Sequence, residues 1–293
     1  MANSEHSSQS TLGIIAGGGA MPLAVAQAAE REGRPFHIVA LEGWAKPEIE
    51  TYAHSWVKIG QFGKIVKLLN SHACKDLVIV GSVERATLAN VRLDATALAN
   101  LPTLISVSTG GDNSVLSGIV QFFEDREFRI VGAHEIAPEL LAGSGPLGKR
   151  RPGEKDQKDI DTAVGVIGVL GPFDVGQAVV VAEGYVLAVE AAEGTDRMLE
   201  RCRDLKHFSL VKRKKTGGVL VKCAKPGQDR RIDLPTIGPE TVRRAAEAGL
   251  AGIAVSANAV LIADRDETLQ EAERHRLFIV GLDMADGGPA QQQ

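Results

Sequence analysis

Aromatic residues are scarce: Phe, Trp and Tyr together make up 4% of the 293 residues. So few rings provide no stacking platform for nucleic-acid bases. A strong charge of either sign is missing too. With 33 Lys+Arg against 37 Asp+Glu and a formal net charge of −4, no nucleic-acid partner is expected. The three cysteines, Cys74, Cys202 and Cys223, are odd in number and far apart. They exclude a disulfide framework and show no metal-ligand spacing, which fits a reducing cytoplasm. Long apolar runs are absent: a stretch such as Ala178–Ala182 falls far short of a bilayer span. Met1–Ser10 is polar and Ser-rich, without the basic flank or apolar core of a secretory signal. Any membrane contact is therefore expected to be peripheral. No Ser-His-Asp ordering, nucleophile elbow, Walker loop or zincin motif occurs.

What remains is an ordinary globular composition, 44% hydrophobic and 24% charged, in a chain long enough for two domains. Thr11–Ala16 reads as a strand, Gly17-Gly18-Gly19-Ala-Met-Pro22 as a turn, and Leu23–Arg31 as a helix. Apolar strands at Phe36–Leu41, Leu77–Gly81 and Phe128–Val131 alternate with helices at Lys64–Leu69 and Val115–Phe123. This alternation predicts a mainly parallel, Rossmann-like sheet over 11–140. From 141 to 157 the sequence turns aperiodic and rich in Gly, Pro and charge, as expected of a linker. Beyond it, 158–283 is expected to form a second α/β domain, smaller and with a mixed sheet. Its predicted parts are a helix from Asp159, a hairpin around Glu183-Gly184, a helix from Thr195, a strand at Gly218–Lys222, a helix over 239–249, a strand at Ile253–Val255, a helix near 266–275 and a strand at Leu277–Val280.

Four polar clusters fall at element ends. Gly17–Gly19 resembles a nucleotide-binding turn, but Pro22 replaces its third glycine, and a tight packing turn explains it equally well. Gly110-Gly111-Asp112-Asn113 precedes a helix that Asp112 is suited to cap. The third is Glu183-Gly184 with Glu190 and Glu193-Gly-Thr195-Asp196: Glu190 and Glu193 interrupt an otherwise apolar strand, where burial needs a cation or metal to receive them, and a solvated strand end explains them equally well. The densest cluster is Lys222–Gly238, a polar loop between a strand and a helix, broken by Pro226-Gly227 and stiffened by Pro235. Its Lys222, Lys225, Arg230 and Arg231 can neutralise a phosphate, or can simply pair with Asp229 and Asp233 in solvent. His134, beside Glu135, reads more readily as a hydrogen-bonded structural residue than as a catalyst. Carboxylates, cations and a glycine turn together suit metal-assisted chemistry at a phosphoryl centre.

Several of these motifs occur in an order that carries a likeness. Leu12–Pro22, Gly132-Ala-His-Glu135, Ala182–Glu190 with Glu193–Asp196, and Lys225-Pro with Arg231–Gly238 together resemble the LpxI-type UDP-2,3-diacylglucosamine pyrophosphatases of lipid A biosynthesis. The likeness runs over residues 11–282, with Met21 standing where Leu is common. It implies two α/β domains with the lipid-linked UDP-sugar held between them. It implies divalent-metal-dependent hydrolysis, with Mg²⁺ or Mn²⁺, to UMP and 2,3-diacylglucosamine 1-phosphate. The essential carboxylate and metal ligand falls on Asp233. Gly17, Gly18, Gly19, Gly111, Asp112, Thr195, Asp196, Lys222, Lys225 and Arg231 are the expected substrate contacts. A cytoplasmic enzyme is expected, and peripheral contact with the inner membrane and a homodimer are both compatible with the resemblance. Two rivals stay open on the residues alone: a nucleotide-sugar or NAD(P)-dependent enzyme using Glu42 on a ribose, and a non-catalytic nucleotide-binding regulator.

Overall fold

The computed structural model describes residues 10–83, 92–100, 111–173, 175–205, 217–225 and 229–284, with the backbone alone for 111–115 and 172. Two compact units emerge. One comprises Met1–Pro138 together with Asp229–Asp233, the other Glu139–Gln228 with Leu234–Gln293.

The first unit is built on five parallel strands: β1 (Thr11–Ala16), β2 (Phe36–Leu41), β3 (His54–Val57), β4 (Cys74–Val80) and β5 (Arg129–Ile130), in the order β3-β2-β1-β4-β5. Parallel neighbours need crossovers. Helix α1 (Met21–Arg31) follows β1, and α2 (Phe62–Ser71) joins β3 to β4. Between β4 and β5 lie α3 (Ala95–Ala99) and α4 (Gly111–Glu124), and α5 (Ala133–Ile136) follows β5. β1 is buried from Leu12 to Ala16 because a central parallel strand is covered on both faces. β3 escaped the sequence reading: His-Ser-Trp-Val is a half-buried edge strand without an apolar run. The few aromatics are concentrated here. Phe62, Phe122, Phe123 and Phe128, four of eight phenylalanines, form one edge-to-face cluster with ring centroids 5.0–6.0 Å apart. At the N-terminal ends of the strands, buried Asp76 receives Arg34, Arg129 (2.6 and 2.8 Å) and Ser10 (2.8 Å), which ties β4 to β5 and to the start of β1.

The second unit has a mixed sheet of six strands, one more than the first, so it is not the smaller sheet. Its strands are β6 (Gly145–Pro146), β7 (Ala178–Ala182), β8 (Tyr185–Val189), β9 (Val219–Lys222), β11 (Gly252–Ser256) and β13 (Phe278–Leu282), in the order β6-β13-β11-β9-β7-β8. The short strands β10 (Thr236–Ile237) and β12 (Leu261–Ile262) pair separately. Helix α6 (Glu154–Leu170) covers one face through Ile160, Ala163 and Ile167. On the other face α7 (Gly194–Leu205) and α8 (Pro239–Glu247) pack Met198, Leu199, Val242 and Ala245, and α9 (Arg265–His275) completes that layer.

Two boundaries differ from the sequence reading. The stretch 141–157, expected as a linker, is part of the second unit. Leu141 bridges Leu261, β6 pairs with β13, and α6 already begins at Glu154, where Gly153 N–H donates to Asp156 at 2.9 Å. An irregular Gly/Pro composition does not stop backbone amides from pairing with a sheet edge. Segment 229–233, assigned by sequence position to the second domain, belongs to the first unit, because Ile232 packs on the core of Phe122, Phe123 and Ile130.

Candidate functional site

The glycine turn lies where the strand order reverses between β1 and β4, the place where open α/β sheets bind ligands. Its first two glycines serve packing. Gly17 N–H donates to Val80 O and Gly18 N–H to Ser82 O, both at 2.8 Å, and Ser82 N–H returns to Gly18 O at 3.0 Å. A Cβ on Gly81 would lie 2.7 Å from the carbonyl carbon of Gly17, so the two loops can close only as glycine on glycine. Gly19 differs: it has φ +90° and open space at its Cβ position, beside the first turn of α1, which carries no side-chain cap. Of the neighbouring loop, Glu84 and Arg85 lie outside the described residues. Glu42 follows β2 directly and is exposed.

Segment 229–233 is a tight turn. Ile232 and Asp233 donate their N–H groups to Asp229 O at 3.2 and 3.1 Å. Arg231 is gripped on both sides. Its Nε and Nη2 donate to the Asp229 carboxylate at 3.0 and 2.7 Å, and its Nη1 donates to Glu124 Oε1 at 2.7 Å. These bonds hold Asp229 below the usual carboxylate range and push the guanidinium up. Against this turn stands Gly132, where a Cβ would meet the His134 ring at 2.3 Å and Arg231 Cα at 3.3 Å. The His134 imidazole therefore folds back over bare backbone, and its Nδ1 is buried without a protein partner. Burial lowers its pKa, Glu135 opposes that shift and Arg230 adds to it.

The second unit gathers another cluster. Lys222, at the end of β9 and 7% exposed, donates to Thr195 Oγ1 and to Thr236 O, both at 3.0 Å. Thr195 donates to Glu190 Oε1 at 2.7 Å, and Glu190 Oε2 accepts Gln177 N–H at 2.9 Å. Thr195 thus sits inside the first turn of α7 rather than capping it, and the buried Glu190 finds its hydrogen bonds in this network. Asp196 is exposed, 3.8 Å from Arg244. Glu193 pairs with Arg201 at 2.6 Å at the surface. Lys225 lies three residues beyond β9, at the edge of the described loop. Gly111 and Asp112 open α4, so Asp112 is in its first turn rather than before it. They lie at the opposite end of that helix from Glu124, about 18 Å along the axis at the α-helical rise.

Residues 11–140 match the family model of the LpxI N-terminal domain, and 143–280 match that of the LpxI C-terminal domain. The chain belongs to the LpxI family. A curated relative, the UDP-2,3-diacylglucosamine pyrophosphatase LpxI of Caulobacter vibrioides, is 43% identical over 272 residues, covering 93% of this chain and 97% of its own. A solved UDP-glucose-4-epimerase from Stenotrophomonas maltophila, with bound NAD and formylated UDP-arabinopyranose, aligns at 12% identity over 96% of this chain and 79% of its own. The TM-score of that alignment is 0.30. The LpxI-family fold of two α/β domains agrees with the two units and their sheets.

Among the described residues, no three His, Cys, Asp or Glu side chains converge to hold a metal ion. Asp229 and Glu124 are already committed to Arg231. Asp233 supplies a carboxylate, the type of oxygen donor that Mg²⁺ takes. Two residues of this site escaped the sequence reading. Glu124 looks like any helix-terminal acid until its partner, 107 residues away, is brought to it. Asp159, expected at a helix start, is buried within α6 and accepts the turn N–H groups of Glu183 and Gly184 at 3.0 and 2.7 Å, fixing the β7–β8 hairpin.

Proposed function

We propose that this protein hydrolyses the pyrophosphate bond of UDP-2,3-diacylglucosamine, giving UMP and 2,3-diacylglucosamine 1-phosphate. The observation that carries the reading is the 43% identity with the Caulobacter pyrophosphatase, which extends over 97% of that protein. Asp233 is the carboxylate assigned to the chemistry. It stands in a turn whose backbone is hydrogen-bonded and whose neighbour Ile232 is anchored in a core, so its position is held by structure rather than by substrate. A bound Mg²⁺ or Mn²⁺ would supply charge neutralisation at the pyrophosphate oxygens. The task of Asp233 is then to orient the attacking water or to hold that ion.

Gly19 and the uncapped start of α1 supply backbone N–H groups suited to an anionic group. Gly17 and Gly18 have their N–H groups engaged within the protein, which counts against a dinucleotide cradle and hence against the NAD(P)-dependent rival. The test is incubation of the pure protein with UDP-2,3-diacylglucosamine and Mg²⁺, followed by product analysis. Release of UMP in step with 2,3-diacylglucosamine 1-phosphate is expected. Substrate that binds but stays intact would favour a regulator.

A further inference from the structure

We propose that Glu124 is a positioning residue for the reaction, acting through Arg231 on the turn that carries Asp233. The inference rests on the reading of Asp233 as the reacting carboxylate.

Arg231 would be expected to offer its planar fork to a phosphate. Instead its Nε and Nη2 face Asp229 and its Nη1 faces Glu124. The two carboxylates do different work. Asp229 is two residues from Arg231, and its bonds, including Arg231 N–H to Oδ1 at 3.0 Å, close the turn on itself. Those bonds shape the turn, and besides the packing of Ile232 they give it no tie to the rest of its unit. Glu124 comes from outside the segment, as the last residue of α4, and so fixes where the turn lies relative to the parallel sheet's own unit.

Its location is also unfavourable without a cation. A carboxylate at a helix C-terminus opposes the helix dipole, a penalty that Arg231 offsets. All three side chains are a third or more exposed, so the pairs add little to folding, and the phenylalanine cluster with Ile232 carries that instead. Placement is another matter. A displacement of about 1 Å at a reacting group can lower turnover by about a hundredfold.

The experiment compares Glu124→Ala, Glu124→Gln and Asp233→Ala in the full-length protein, by kcat and KM on UDP-2,3-diacylglucosamine, by melting, and by tryptic cleavage after Arg230 and Arg231. Glu124→Ala is expected to lower kcat by about 10- to 100-fold with KM and melting nearly unchanged. Glu124→Gln keeps an oxygen for Nη1 and should retain more turnover than the alanine variant. Cleavage in the turn should accelerate in Glu124→Ala and not in Asp233→Ala. Wild-type turnover in Glu124→Ala beside an inactive Asp233→Ala would overturn the proposal, as would a loss that merely tracks melting. If Asp233→Ala turns over normally, the site reading fails and the catalytic claim for Glu124 fails with it. The cleavage rates would still decide whether Glu124 fixes the turn.

Discussion

The ammonium of Lys222 lies 3.0 Å from the carbonyl oxygen of Thr236 and so joins the last residue of β9 to the first of β10. The loop bearing Asp233 is thereby closed at its base. The same ammonium holds Thr195 Oγ1, which in turn donates to the buried Glu190. Lys222→Met would remove the donor to Thr195 Oγ1 and to Thr236 O and leave the loop base unfastened. Unfolding by urea should show a loss of about 1–3 kcal/mol. An unchanged stability with a tenfold rise in KM would instead make Lys222 a phosphate ligand.

Asp233→Ala should fold as the wild type, because its side chain is not part of the core that anchors Ile232. Turnover should fall by about a thousandfold, equivalent to about 4 kcal/mol of transition-state stabilisation. Assaying Asp229→Ala in parallel identifies the reacting carboxylate. Should Asp229→Ala be the variant that loses the chemical step alone, the assignment to Asp233 is wrong.

Chelation should abolish turnover and Mg²⁺ or Mn²⁺ should restore it, since the available donors are oxygen atoms. Melting of the substrate-free protein should change little on chelation, because no preformed cage exists among the described residues. Full activity after exhaustive EDTA treatment would exclude the ion.

Acid should weaken the first unit in two steps. His37 is buried, its Nε2 bonded to Ser55 Oγ at 3.0 Å and its Nδ1 unpartnered, and burial with His72 and His54 nearby pulls its pKa down to about 4. The neutral imidazole is the folded form, so stability is complete above pH ~6.5 and is lost as pH falls toward 4, by on the order of 3 kcal/mol. Asp76 follows lower. Its bonds to Arg129 foremost, with Ser10 and Arg34, hold its pKa at about 2. A depressed carboxylate stabilises above its ordinary pKa, and that contribution, about 2 kcal/mol, disappears between pH ~4 and 2. Melting temperatures from pH 7 to 3 should show a shallower decline between 6.5 and 4 for His37→Asn than for the wild type.

Gly132→Ala would drive a methyl group into the His134 ring and toward Arg231 Cα. The ring must leave or the turn must shift, at a cost of about 1–3 kcal/mol. Paired measurement of melting and turnover should show activity falling further than stability. Equal wild-type values for both would mean that the imidazole is not confined there.

Much of the architecture was legible because it rests on local pattern. Apolar runs at Leu12–Ala16, Phe36–Leu41 and Leu77–Val80 mark buried parallel strands, and Glu183-Gly184 marks a hairpin turn. Short or edge elements such as His54–Val57, Gly145–Pro146 and Leu261–Ile262 gave no such pattern, since two to four residues pairing at an edge need no apolar face. The polar loop around Asp233 stood out by composition, and the identities of Lys222, Thr195 and Arg231 as noteworthy residues followed from the same contrast.

By itself, then, the sequence determined the fold class, the family and the loop in which the reacting carboxylate is sought, all of which depend on residue order over short spans. Only tertiary structure decided the partners. It engaged the N–H groups of Gly17 and Gly18 with Val80 and Ser82, set Arg231 between Asp229 and Glu124, buried Lys222 against Thr236, and placed residues 229–233 in the first unit. A charged side chain carries no local record of which distant group will neutralise it. That choice is made when the chain packs, because a buried or gripped charge is tolerated only beside the partner that the fold delivers.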